Sequence, residues 1–344
     1  MTARPHDALF KSAFETPGEA AALMRELLPA DVRAAIAWST IRGETGSFID
    51  ATLADYHSDL LFSVQLHAGS RAPLYLLLEH QSTGDSAMPL RSLAYQVQIW
   101  NRMRKDPRRH RLPPVITVMI HHVSGGWTDA RSCQELFDPA VLAIPGVASL
   151  IPCFSMIVED LAQRSDEEIK GRSLGAFAKL ALWLLRDARD PAQLLASFGA
   201  WISTMLEVER APGGRESFAR LITYMFRVVD PVHWIELHAK IRLLGRRAEE
   251  TAMSIAEQLL EEGRKEGLEQ GRKEGRKEGK KEGRKEGLEQ GRIASLRHQL
   301  RHKFGISELD AATEARLRAA PPETIDRYAL RVLTADSLAA VFAE

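Results

Sequence analysis

The chain has 344 residues, with 46 Lys and Arg balanced by 46 Asp and Glu, so its formal net charge is zero. That length suits two or three domains, and the neutral balance excludes a globally basic nucleic-acid surface, leaving only local patches. Cys133 and Cys153 fit neither a zinc spacing nor a disulfide framework, the N-terminus lacks a signal-peptide core, and no apolar run reaches the roughly 18 residues of a membrane helix, so a cytoplasmic protein without a membrane partner is expected.

Leu9, Phe10, Phe14, Leu23, Leu27 and Leu28 recur at helical spacing over 6–28, with Pro17-Gly18 marking a break. The pattern then shortens: 48–55 alternates, "DLLFSVQL" (59–66) is strand-like, and "PLYLLLEHQ" (73–81) reads as a buried strand. The polar loop "HAGSRA" between the last two, with Gly69 inside it, signals a hairpin. Residues 88–104 read as a helix with Leu90, Leu93, Ala94, Val97 and Trp100 on one face. "PPVITVMIHHV" (113–123) is a further buried strand, its two prolines ending the helix before it. These elements predict a mixed α/β core. Residues 160–245 read as mainly helical, with amphipathic stretches at 176–185 and 218–229.

From 261 to 292 glycine recurs every fourth residue, at eight positions from Gly263 to Gly291. Each costs a helix about 0.8–1 kcal/mol relative to Ala, whereas Glu–Lys pairs such as Glu269–Lys273 return only about 0.2–0.5 kcal/mol each. In isolation the coil is favoured, and the stretch reads as a solvated, marginally helical tether. The competing readings are a nucleic-acid contact and an arm for homo-oligomer formation through the C-terminal helical region. The small helical tail at 293–344 offers Leu296, Leu300, Leu317, Leu330, Leu333 and Phe342 for packing. Composition therefore divides the chain into 1–159, 160–247, 248–292 and 293–344.

A hairpin centred on residue 69 sets Asp59 directly opposite Glu79, and opposed residues share a face with Cβ atoms about 4.5–5.5 Å apart. Two such carboxylates repel unless a proton or a cation lies between them. A hard divalent ion is the natural remedy, and Mg²⁺ uses one or two protein carboxylates while keeping waters, with room for a phosphate. The bland alternative is a pair of exposed acids at strand ends. Gln81 alternates onto the same face as Glu79 and adds a hydrogen-bonding amide.

The spacing Asp–x(19)–Glu–x–Gln resembles the PD-(D/E)XK nuclease pattern. Together, "HDALFKSAF" (6–14), "SDLLFSV" (58–64), "LLLEHQS" (76–82) and "MPLRSLAYQVQIW" (88–100) resemble the Rpn family of recombination-promoting nucleases, also called YhgA-like transposases. A glycine-rich charged repeat followed by a short helical domain is similar to arrangements in that family. The resemblance implies a restriction-endonuclease-like mixed sheet flanked by helices over 1–159, an all-helical extension over 160–247, a charged Gly-repeat linker over 248–292 and a small helical C-terminal domain over 293–344. It implies Mg²⁺-dependent DNA cutting, with Mn²⁺ as a substitute cofactor. Asp59 and Glu79 would hold the metal together with the backbone carbonyl of His80, Gln81 would stand where the pattern has lysine, and Asp7 on the first helix would supply an extra acid. For Asp7 the alternative is helix N-terminal charge stabilisation. Arg91 and Tyr95 match the family's motif and would face phosphates, with packing as the competing account.

Arg102, Arg104, Lys105, Arg108, Arg109 and Arg111 cluster against a single acid, Asp106. Such a cluster suits DNA backbone contact weakened by salt, or equally a solvated helix end. His121 and His122 close a strand and read as core or edge residues. No G-x-S-x-G elbow, metal-spaced His or Cys set, or P-loop is present. The expected activity is a Mg²⁺-dependent DNA endonuclease linked to recombination or mobile elements. The alternative is a catalytically degenerate DNA-binding or scaffolding protein that keeps the fold.

Overall fold

The computed structural model describes residues 5–44, 60–67, 73–104, 111–123 and 125–343. Asp59, Lys105, Arg108, Arg109 and the alternating stretch 48–55 lie outside the described residues.

The first helical stretch is two helices, α1 (Pro5–Phe14) and α2 (Pro17–Leu27), followed by the short α3 (Ala30–Ala35). Thr16 is extended, with φ −77° and ψ 130°, and Pro17 starts α2 at its first position, where a missing N–H costs nothing. The break therefore falls at the Pro-Gly pair. Strand β1 (Ile36–Gly43) follows at once, a strand that periodicity misses because its burial does not alternate.

Strands β2 (Leu60–Leu66) and β3 (Leu74–Gln81) pair antiparallel, with Leu60 opposite Leu78 and Val64 opposite Leu74, the register expected for a loop centred on residue 69. Helix α4 (Met88–Met103) then leads to β4 (Val115–His121), parallel to β3, and a crossover containing α5 (Pro139–Leu142) leads to β5 (Ile157–Asp160), parallel to β4. The sheet order is β1-β2-β3-β4-β5, antiparallel in its first half and parallel in its second. All eight residues of the central strand β3 are buried.

Alternation divides β3 between two cores. Leu74, Leu76 and Leu78 join Phe62, Val118, Ile120, Phe10 and Phe14 in the main core, whereas Tyr75 and Leu77 join Leu61, Tyr95 and Ile99 beneath α4. Each fully buried leucine contributes about 1.5–3 kcal/mol. The buried stripe of α4 is Met88, Ser92, Tyr95, Gln96 and Ile99; Leu90 and Val97, expected on the packed face, are exposed. The polar Ser92 belongs inside because its hydroxyl hydrogen-bonds that of Thr117 on β4 at 2.7 Å.

Helices α6 (Asp166–Gly171), α7 (Ala176–Asp187), α8 (Pro191–Arg210), α9 (Gly214–Val228) and α10 (Trp234–Arg242) follow. Trp183, Phe198, Trp201, Leu221 and Met225 extend the sheet's own main core instead of forming a separate one. Helix α11 runs from Arg246 to Phe304, and α12 (Ala311–Ala319), α13 (Pro322–Thr334) and α14 (Leu338–Val341) complete the chain. Two units are distinct, Met1–Leu259 and Leu260–Glu344. In the first, Ala248, Ala252 and Ile255 of α11 join the main core. In the second, Leu296 and Leu300 pack with Leu317, Ile325, Tyr328, Val332 and Phe342. Leu330 and Leu333 are exposed, because α13 turns Ile325, Tyr328 and Val332 inward at helical spacing.

The glycine repeat is helical throughout, where propensity alone favours coil. Ion pairs such as Glu269–Lys273 at 2.6 Å and Glu261–Lys265 at 3.5 Å are too weak to reverse that balance. Nucleation is the costly step of helix formation, and residues packed into the core of each unit nucleate this helix on both sides of the repeat. Cys133 is buried and Cys153 exposed, both as free thiols. Among the described residues no helix is long and apolar enough to cross a membrane.

Candidate active site at the end of the central strand

The side chains in question sit where the parallel strands β3, β4 and β5 end, the edge at which open α/β sheets carry ligands. Glu79 and Gln81, two residues apart, project toward α4, while His80 between them projects toward α1. Glu79 is fully buried, and its Oε1 accepts from Arg91 Nη2 of α4 at 2.6 Å. The same guanidinium donates through Nη1 to Asp85 Oδ2 at 2.7 Å. Arg91 therefore bridges two carboxylates; burial works against its charge, but the Glu79 carboxylate, Tyr95 and the Asp85 hydrogen bond outweigh it, so it loses its proton even less readily than usual. Its guanidinium lies 6.0 Å from the Tyr95 ring, and Tyr95 is buried beneath α4.

Asp7 stands in the first turn of α1. Its Oδ1 lies 3.0 Å from His80 Nδ1. Burial lowers the pKa of His80, so the ring is neutral and its Nδ1–H donates to the carboxylate. Glu79 and Asp7 thus engage partners on opposite faces of β3, and the described residues include no group of three or more His, Cys, Asp or Glu side chains arranged to hold a metal ion. The His80 ring lies between Phe10 at 4.9 Å and His122 at 5.0 Å, both stacked. His6 completes this cluster, 5.1 Å from His122, with Nδ1 2.8 Å from the Tyr224 hydroxyl. Burial, reinforced by the Arg189 guanidinium, pulls the pKa of His6 down to about 4.

On the α4 side, Gln81 of β3 is in register with His121 of β4, and His121 with Asp160 of β5. Neighbours in parallel register share a face, so the three form a row across the strand ends. Asp160 is fixed by backbone N–H groups, from Trp127 at 2.8 Å and Ala162 at 3.2 Å. Gly126 permits this approach: its φ is +78°, and a Cβ there would stand 2.7 Å from Asp160 Oδ2. His121, which closes β4, and His122 just after it are both buried, as the sequence suggests. What the sequence does not reveal is the partner of each. Asp160 ends a strand too short to recognise, and Asp85 belongs to a turn, so neither carries a periodicity signal.

Of the basic cluster, Arg102, Arg104 and Arg111 are exposed.

Residues 4–212 match the family described as "Putative transposase, YhgA-like". The chain is 37% identical over 208 residues to the recombination-promoting nuclease RpnD of Escherichia coli O157:H7, covering 57% of this chain and 80% of that protein. It is 27% identical over 266 residues to RpnA of E. coli K12, a match covering 77% of this chain and 86% of that protein. A similar match, 28% over 265 residues, covers 77% of this chain and 84% of RpnE of E. coli K12, which is named an inactive recombination-promoting nuclease-like protein. No solved structure matches the chain. With well over half of its length matched, the chain belongs to the YhgA-like transposase family, that of the recombination-promoting nucleases.

Proposed function

We propose that this chain is a divalent-metal-dependent endonuclease of the PD-(D/E)XK type, hydrolysing DNA phosphodiester bonds in recombination or mobile-element processes. The observation that carries the reading is the fully buried Glu79 at the end of β3, followed by Gln81 on the same face, in a hairpin whose described register ends at Leu60–Leu78. In this reading the ladder continues by one pair, so that Asp59 meets Glu79. The donors would be these two carboxylates and the His80 carbonyl, a set that suits Mg²⁺ or Mn²⁺. A bound ion there would polarise the scissile phosphate and acidify the attacking water.

The chain's own residues supply the rest. Arg91 neutralises Glu79, and once an ion takes over that charge its guanidinium would turn to a phosphate oxygen. Gln81 orients water without adding charge. Asp7 fixes His80 from the opposite face, which steadies the backbone carbonyl between Glu79 and Gln81. Arg102, Arg104, Lys105, Arg108 and Arg109 would follow the DNA backbone, so binding should weaken steeply with salt.

The second reading is a DNA-binding protein that keeps the fold without cutting. It is favoured by the Arg91–Glu79 ion pair, which already balances the acid, and by the relative named inactive. Plasmid DNA incubated with the purified chain separates the two. The nuclease reading expects cutting that needs Mg²⁺ or Mn²⁺ and disappears in Asp59→Ala and Glu79→Gln. Equal cutting by these variants removes the site assignment, and DNA binding without cutting by wild type favours the second reading.

A further inference from the structure

His121 is 1% exposed, yet neither ring nitrogen has a hydrogen-bond partner among the described residues. Buried polar atoms are almost always satisfied, so such a group calls for an explanation. Its surroundings are built with care. Asp160 Oδ1 lies 3.6 Å from Nδ1, longer than a hydrogen bond but close enough for the carboxylate to favour the tautomer with the proton on Nδ1. That leaves Nε2 as a bare acceptor. The Trp127 ring meets the imidazole edge to face at 5.0 Å, and its buried indole N–H also has no partner among the described residues. An unused acceptor and an unused donor on adjoining rings are what an ordered water requires. Gln81 is the register neighbour of His121, which brings these two unpartnered ring nitrogens beside the strand end that holds Glu79.

We propose that His121, held by Asp160 and flanked by Gln81 and Trp127, is the catalytic hydrogen-bond acceptor that orients the water attacking the scissile phosphate. The inference rests on the nuclease reading above and assigns it a residue outside the E-x-Q motif. A lysine at position 81 would position the nucleophile and carry charge; a glutamine offers only a weak amide, and the neighbouring strand supplies the missing acceptor. Catalytic hydrogen bonds are often long without substrate and tighten once it is bound, which accounts for the 3.6 Å spacing of the pair.

The test uses the full chain, comparing plasmid cutting by wild type, His121→Ala and Glu79→Gln, each with and without millimolar imidazole and each checked for an intact melting transition. The proposal expects His121→Ala to cut about 100-fold more slowly and to regain activity with imidazole, whereas Glu79→Gln does not respond. His121→Ala within a few-fold of wild type overturns the proposal and leaves the nuclease reading standing. A folded His121→Ala that is slow but not rescued also overturns it, since that is the behaviour of a structural residue. A wild type that never cuts overturns both. Independently of activity, ring-nitrogen NMR of histidine-labelled, metal-free protein should show His121 protonated on Nδ1 alone, with that preference lost in Asp160→Asn. A proton on Nε2 in wild type contradicts the assignment whatever the cutting assay gives.

Discussion

Arg91 reaches Glu79 from twelve residues further along the chain, across a turn that also delivers Asp85, and so makes α4 part of the site and not only its cover. Removing one member of a buried ion pair strands the other charge. Arg91→Met should therefore lower unfolding stability by about 3 kcal/mol, read by urea denaturation. The histidines give a second prediction. Burial lowers the pKa of His6, His80, His121 and His122. The unfolded chain therefore binds more protons than the folded one between the ordinary value of 6.5 and the lowered values, about 4 for His6. Stability is then fully present above pH 6.5 and falls as pH drops toward 4, each histidine adding a slope of at most ~1.4 kcal/mol per pH unit. The nitrogens of His122 have no hydrogen-bond partner among the described residues, so His122→Phe should flatten the fall in Tm below pH 6.5 without lowering Tm at pH 7. At this scale the shared face of Glu79 and Gln81 was legible because strand alternation is strict. The Arg91–Glu79, His80–Asp7 and His121–Asp160 pairs were not, because each joins separate elements and depends on how they pack.

Strand β3 is the element on which the others depend, buried along its whole length and paired on both sides. Leu78→Ala should cost about 2–5 kcal/mol through lost transfer and the cavity left behind, measured by chemical denaturation. The hairpin, α4 and β4 were recognisable from run length, Gly69 and the two prolines. Strands β1 and β5 leave no recognisable pattern in the sequence, the first for want of alternation and the second because four residues carry too little of it. Hydrophobicity alone puts Leu90 and Val97 on the packed face of α4 ahead of Ser92, whereas both are exposed and Ser92 is buried through its hydroxyl pair with Thr117. In α11, a Cβ added at Gly271, Gly275 or Gly279 meets nothing within 4 Å. Alanine at each should stabilise the helix by about 0.8–1 kcal/mol, visible as greater helicity on heating by circular dichroism. A loss of helicity would show that the glycines have a packing role.

The whole molecule consists of two units, each with a core of its own. The first recruits the opening turns of α11 through Ala248, Ala252 and Ile255. A fragment ending at residue 259 should accordingly melt cooperatively and at a higher temperature than one ending at 245. Equal melting would mean that these residues add nothing to the first unit. The helical region after residue 160 was legible as helical, but its union with the sheet in one core was not, since composition changes there while packing does not. We propose that the strand end carrying Glu79 holds a divalent ion. Anomalous diffraction from crystals soaked in Mn²⁺ tests it most directly. A single strong peak bound by Glu79 together with Asp59 and the His80 carbonyl, absent in Glu79→Gln, is the expected result; a Mn²⁺ peak bound elsewhere while Glu79 stays locked to Arg91 would rule the proposal out.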